Sequence, residues 1–182
     1  MDTTLIISLI GIGIAIAIAV SLWIGSNKKR TAHLKDRYGD EYERTVTESD
    51  RRGEAEKELM AREERVKRLH IKELTDEQRD RFGDEWRLVQ VRFVDDPGAT
   101  IKDADTLVQK VMDARGYPIT DFDQQAADIS VDHPEVVSNY RAAHTIALEH
   151  ERDGAGTESL RQAVIHYRAL FSELLGRSAV AR

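Results

Sequence analysis

The pattern of apolar and polar positions changes character twice along this chain. Leu5 to Gly25, LIISLIGIGIAIAIAVSLWIG, runs 21 residues without a charge. At 1.5 Å per residue that length matches the roughly 30 Å hydrocarbon core of a bilayer, so the pattern predicts one transmembrane helix. In lipid the backbone must satisfy its own hydrogen bonds, which makes a helix the form for such a run despite its isoleucines. Trp23 falls near one interface, where an indole prefers to lie. From Lys28 to Asp80 the character reverses: 15 Lys or Arg and 15 Asp or Glu share 53 residues. Opposite charges four apart at Glu48/Arg52, Glu58/Arg62, Glu63/Lys67 and Glu64/Arg68 support exposed helix, and residues 28–74 read as a solvated helical stalk. Leu59 and Val66 are a heptad apart, but Arg62 occupies the position between them, so a coiled coil would need support from elsewhere.

Beyond Leu74 the apolar residues take up helical spacing. Thr75 with Gln78 forms a capping box ahead of Phe82, Trp86, Val89 and Phe93, and Asp95-Asp96-Pro97-Gly98 ends that helix. A second carries Ile101, Ala104, Leu107, Val108, Val111 and Met112 and stops at Gly116, with Pro118 beyond. A short third starts near Thr120 with Phe122, Ala126 and Ile129. The fourth is expected to use Asp132 as cap and Pro134 as first residue, with Val137, Tyr140, His144 and Ala147 on one face. Thr157 is expected to cap the last, whose stripe Leu160, Val164, Tyr167, Phe171, Leu174 closes at Gly176. The fold class is therefore all-α: a transmembrane anchor over 1–27, a charged helical stalk over 28–74, a compact domain of about five helices over 75–176, and a disordered tail over 177–182. Tyr167 and Phe171 should pack on Trp86 and Phe93.

Charge and composition add direction and exclusions. Lys28, Lys29 and Arg30 follow the apolar run, whereas Met1-Asp2-Thr3-Thr4 precedes it, so the positive-inside bias places the C-terminal part in the cytoplasm. A cleaved secretory signal, suggested by Ala17-Ile18-Ala19, lacks its positive n-region. A formal charge of −6 argues against nucleic-acid binding. The absence of cysteine excludes a disulfide framework, a thiolate zinc site and a cysteine nucleophile. Gly11, Ala15 and Ala19 repeat every four residues and would let two membrane helices approach as a homo-oligomer; an unpaired anchor explains them equally.

One short repeat stands out. Asp36-Arg37-Tyr38-Gly39-Asp40-Glu41-Tyr42 returns 44 residues later as Asp80-Arg81-Phe82-Gly83-Asp84-Glu85-Trp86. On a helix, Tyr38 with Tyr42 and Phe82 with Trp86 would share a face, either as duplicated docking aromatics or as aromatic pairs used for packing.

The candidate chemistry gathers at Asp132, His133, Tyr140, Arg141 and His144. Tyr140 and His144 lie four apart, and a capping Asp beside a His could hold its tautomer. No nucleophile or second base is placed by the spacing, and a histidine on an apolar helix face more often belongs to the core. His144, His150 and His166 lack metal-ligand spacing, and no phosphate loop or calcium loop is present, so neither metal nor cofactor is expected.

Arg92-Phe93-Val94-Asp95-Asp96-Pro97, Arg115-Gly116-Tyr117-Pro118, Ser130-Val131-Asp132-His133-Pro134 and His166-Tyr167-Arg168-Ala169-Leu170-Phe171 together resemble a family of small bacterial proteins with one N-terminal hydrophobic segment and no assigned function. The resemblance covers most of Gln78 to Leu175. It implies a bacterial source and a self-contained domain and brings no activity or ligand. The sequence thus predicts a non-catalytic protein-interaction module anchored in the bilayer through residues 5–25, with a small-ligand or enzymatic pocket around His133, Tyr140, Arg141 and His144 as the alternative.

Overall fold

The computed structural model describes Ser21 and residues 25–176. The anchor Leu5 to Gly25 lies outside the described residues apart from Ser21 and Gly25, as does the tail 177–182. Among the described residues every regular element is an α-helix, and no helix is long and apolar enough to cross a membrane. The elements are α1 (25–38), α2 (Asp40–Glu48), α3 (Arg52–Val66), α4 (Asp76–Arg92), α5 (Pro97–Arg115), α6 (Phe122–Asp132), α7 (Pro134–Asp153) and α8 (Thr157–Leu174).

Local signals set most of the ends. The capping box forms as expected: Gln78 N donates to Thr75 Oγ1 at 3.2 Å and Thr75 N donates to Gln78 Oε1 at 2.9 Å. Asp96 caps α5 through Ala99 N at 3.0 Å with Pro97 in the first turn, and Asp121 caps α6 through Gln124 N at 3.0 Å. Gly116 ends α5 at φ 96°, with Tyr117 N donating to Met112 O at 3.0 Å in a Schellman arrangement. Two expected caps are displaced by one residue. His133, not Asp132, is the N-cap of α7, and Gly156 precedes α8 in place of Thr157; neither supplies a side-chain cap bond. Asp132 instead completes α6, because Pro134 forces only the residue before it out of helical geometry.

The C-terminal core is built by α4, α5, α7 and α8 with α6 on α7. Trp86 stacks on Phe171 with ring centroids 4.7 Å apart, and Tyr140 meets Tyr167 edge-on at 6.5 Å. Phe93 packs at the margin of the same core. Of the expected aromatic pairing between the first and last of these helices, Trp86 with Phe171 forms, while Tyr167 turns to Tyr140 of α7 instead.

The segment expected to be a solvated stalk is folded against this core. Leu34 and Tyr38 of α1, Tyr42 of α2, and Leu59 and Val66 of α3 close over Val131 of α6 as a second apolar cluster, with α2 against α7 and α3 against α6. Burying one tyrosine ring removes roughly 150–250 Å² from water, on the order of 4–6 kcal/mol at about 25 cal/mol per Å² before chain entropy. An exposed ion pair on a helix contributes only a few tenths. Packing of the few apolar residues therefore decides the structure over the many charges. The bend at Gly39, φ 50°, brings this about by turning Tyr42 back toward α3. In the second copy of the repeat Gly83 stays inside α4, so the same local motif bends in one setting and remains helical in the other.

Candidate functional site

The five residues singled out by sequence do not converge. Asp132 accepts the Tyr117 hydroxyl at 2.9 Å and faces Arg37 at 3.5 Å. His133 is held between two other groups: Nδ1 lies 3.2 Å from Glu173 Oε1 and Nε2 lies 3.3 Å from Arg115 Nη1. Because a guanidinium only donates, Nε2 accepts and Nδ1 carries the proton toward Glu173. Burial holds this imidazole below its usual pKa; Glu173 opposes that shift and Arg115 adds to it. Tyr140 is fully buried and donates to Gln125 Oε1 at 2.8 Å, and burial pushes its phenol up. His144 stacks face to face on Phe122 with centroids 3.6 Å apart. Arg141 points elsewhere, to Glu41 of α2 at 3.1 and 3.3 Å. Tyr140 and His144 share a helix face, as their spacing implies, but Phe122 lies against both rings, 4.8 Å from Tyr140. Each candidate is engaged by structural partners, and Phe122, shared by Tyr140 and His144, fills the space between those two rings.

The docking aromatics are likewise interior. Tyr38 and Tyr42 belong to the N-terminal cluster, where Tyr38 donates to Leu59 O at 3.0 Å and Tyr42 to Glu56 Oε1 at 3.0 Å. Phe82 and Trp86 lie in the C-terminal core. Packing, rather than presentation to a partner, accounts for both copies of the repeat.

What joins the two apolar clusters is a set of charged groups of which spacing showed only the Glu58/Arg62 pair, not the long-range bonds. Glu41 is only 4% exposed, yet it accepts from Arg44 at 2.7 and 2.8 Å, from Arg62 at 2.8 Å and from Arg141. Burial alone would raise its pKa; the bonds from Arg44 and the charge of Arg141 outweigh that and hold it below the ordinary carboxylate value. Arg62 also bonds Glu58 and reaches Ser130 Oγ at 3.3 Å. Arg65 grips buried Asp128 at 2.8 and 3.1 Å. Glu56 gathers Thr31, Tyr42, Arg30 and Arg52. These groups bond one another, with the buried Arg62 Nε left unpaired, and so clamp α1–α3 onto α6 and α7.

One surface feature has no partner within the described chain. Along α4 and the turn that follows it, the side of Phe82, Trp86, Val89 and Phe93 faces the core, while Leu88, Val91 and Val94 are 71%, 69% and 82% exposed. At roughly 100° per residue the two sets lie on opposite sides of the helix axis. A groove of about 530 Å³ runs beside the outer set, between α4 and α5, rimmed by Glu85, Arg92, Asp103 and Lys110. Arg92 pairs with Asp103 across it, and Lys110 with Glu85 at 3.5 Å. A helix that is apolar on two opposite faces has more apolar surface than its own fold can cover. The signal was present in the sequence as a second series, i, i+3, i+6, masked by the stronger aromatic one.

Among the described residues no group of three or more His, Asp or Glu side chains is placed to hold a metal ion. Compared with protein-family models, with curated proteins and with solved structures, the chain matches none.

Proposed function

We propose that this protein is a non-catalytic helical interaction module tethered to a bacterial inner membrane, with its folded part in the cytoplasm. The observation that carries the reading is the outer face of α4, where Leu88, Val91 and Val94 remain exposed although the opposite face of the same helix is fully used in the core. The side chains that would have formed a pocket support it from the other direction, since His133, Tyr140, Arg141 and His144 are each engaged elsewhere. The uncharged run Leu5 to Gly25, followed by Lys28, Lys29 and Arg30, supports the tether and its direction. Glu41 ties α2 to α3 and α7, while Arg30 and Thr31 tie α1 to Glu56 of α3 and Arg37 ties it to Asp132 of α6, so α4 would stand at a fixed geometry relative to the segment that leads from the membrane.

A photo-crosslinking amino acid at position 91 in intact cells tests the reading. A discrete protein adduct is expected there, and none with the same probe at Lys57, an exposed site on α3. Equal, diffuse labelling at both positions would refute it. A reporter fused after Arg182 that functions only in the cytoplasm checks the direction, and activity only on the far side of the membrane would overturn it.

A further inference from the structure

We infer that the occupant of the outer α4 face is a second copy of this chain, joined in an isologous antiparallel α4–α4 contact with Val91 on the two-fold axis. This rests on the interaction-module reading and names its partner. In such a contact, residue i of one helix meets the residue of the other whose number brings the sum to twice that of the axial residue. With Val91 on the axis, Leu88 meets Val94 of the second copy, and Arg87 meets its Asp95, each twice by symmetry. All five positions fall on one side of α4 and its C-terminal turn, and all five are exposed.

The charges select this register over its neighbour. Moving the axis to lie between Leu88 and Val91 would set Arg87 against Arg92 and Asp84 against Asp95, two like-charge pairs repeated by symmetry. Placing Leu88 on the axis would put Val91 against Glu85 and leave Val94 uncovered. Only the Val91 register matches apolar to apolar and positive to negative at once. Arg87 now pairs with Asp84, and both side chains of that pair are well exposed, so re-pairing with Asp95 across the interface loses little. The contact is small. Confinement of both copies to one bilayer would raise their effective concentration enough for a modest interface to be occupied.

The chain contains no cysteine, so single thiols report this geometry without background. The full chain in membranes, treated with copper-phenanthroline, is expected to give a disulfide-linked dimer with Val91→Cys, because an axial residue meets its own copy. Leu88→Cys or Val94→Cys alone should give at least tenfold less, whereas the two variants co-expressed should couple to each other. Arg87→Asp added to Val91→Cys should reduce coupling at least tenfold, and Asp95→Arg added to that should restore it. Equal coupling at 88, 91 and 94, or no rescue by the charge exchange, would overturn the inference. Absence of thiol coupling while the photo-probe at 91 still captures a different protein would show the second copy to be wrong and leave the interaction reading standing. Absence of both products would remove the two together.

Discussion

Replacing Glu41 with Ala removes the one carboxylate on which Arg44, Arg62 and Arg141 converge. The consequences differ among the three. Arg44 is partly exposed and keeps Glu48, so it can turn to solvent at little cost. Arg62 has a side chain only 9% exposed and is left with Glu58 and Ser130, while the Arg141 side chain, at 22%, loses the carboxylate it reaches across to α2. Breaking a buried pair by removing one partner costs about 3–5 kcal/mol, and the remaining partners of Arg62 favour the lower end. For a chain of this size about 3 kcal/mol corresponds to a fall in Tm of roughly 6–12 °C. Circular dichroism at 222 nm on the detergent-solubilised full chain would measure it, with Glu158→Ala as the comparison, since Glu158 bonds only exposed Arg161 and Gln162 and its loss should leave Tm unchanged. A double variant with Arg141→Ala should lose much less than the sum of the two single losses, because each single change strands the other partner. If Glu41→Ala melts within about 2 °C of its parent, the clamp between the N-terminal helices and α7 is not a source of stability and the account of residues 28–74 fails.

Phe171→Ala removes the ring stacked on Trp86 and should cost about 3–5 kcal/mol in thermal melts; a cooperative transition near that of the parent would mean that α8 is peripheral. Gly116→Ala should be destabilising by about 2 kcal/mol or more, because the residue sits at φ 96° and a Cβ there would lie 2.5 Å from His70 O, whereas Gly156→Ala meets nothing within 4 Å and should be neutral; comparable melts for the two would refute the close crossing of the 67–75 linker over the end of α5. Acidification should lower the urea midpoint in two stages. His133 is held below its ordinary 6.5, so its contribution is full above that value and drains as the pH falls through the lower folded-state value. Glu41 and Glu56 are held below 4.5 and act in the same direction at lower pH, while Asp105, raised by burial above 3.8, opposes them weakly. His133→Gln should abolish the first stage, and a midpoint that does not change between about pH 7.5 and 5 would contradict the assignment.

The five C-terminal helices were legible because each carries an apolar stripe of helical period and most carry an end signal, Thr75 with Gln78, Asp95 to Gly98, Gly116, Pro134, and Gly154 to Gly156, whereas the caps Asp96 and Asp121 emerge only in the structure. Even there, which of Asp132 and His133 caps α7 depended on how far α6 extends, and the spacing of an Asp-His-Pro run does not fix that. The N-terminal helices were misread for an identifiable reason. Their apolar residues are few and split by the bend at Gly39, so neither α1 nor α2 shows a stripe by itself, and much of what they bury is charge. Arg62, which interrupts the Leu59–Val66 heptad, looked like an obstacle to packing but is a member of the buried network, held by Glu41 and Ser130, 21 and 68 residues away, as well as by Glu58. The outer face of α4 was legible but hidden, since Leu88, Val91 and Val94 share a helix with a stronger aromatic series.

The proposed role requires that the outer face of α4 be covered in the working protein. Maleimide labelling of Val91→Cys in detergent-free membrane fragments, compared with Lys57→Cys on the exposed side of α3, measures it directly. In the isolated chain both sites are open, Val91 at 69%, so the account predicts that position 91 labels at least several-fold more slowly than position 57 in membranes and that the Arg87→Asp change removes the difference. Equal labelling rates in the unperturbed membrane would show that Val91 faces water, and the interaction surface would be lost with it.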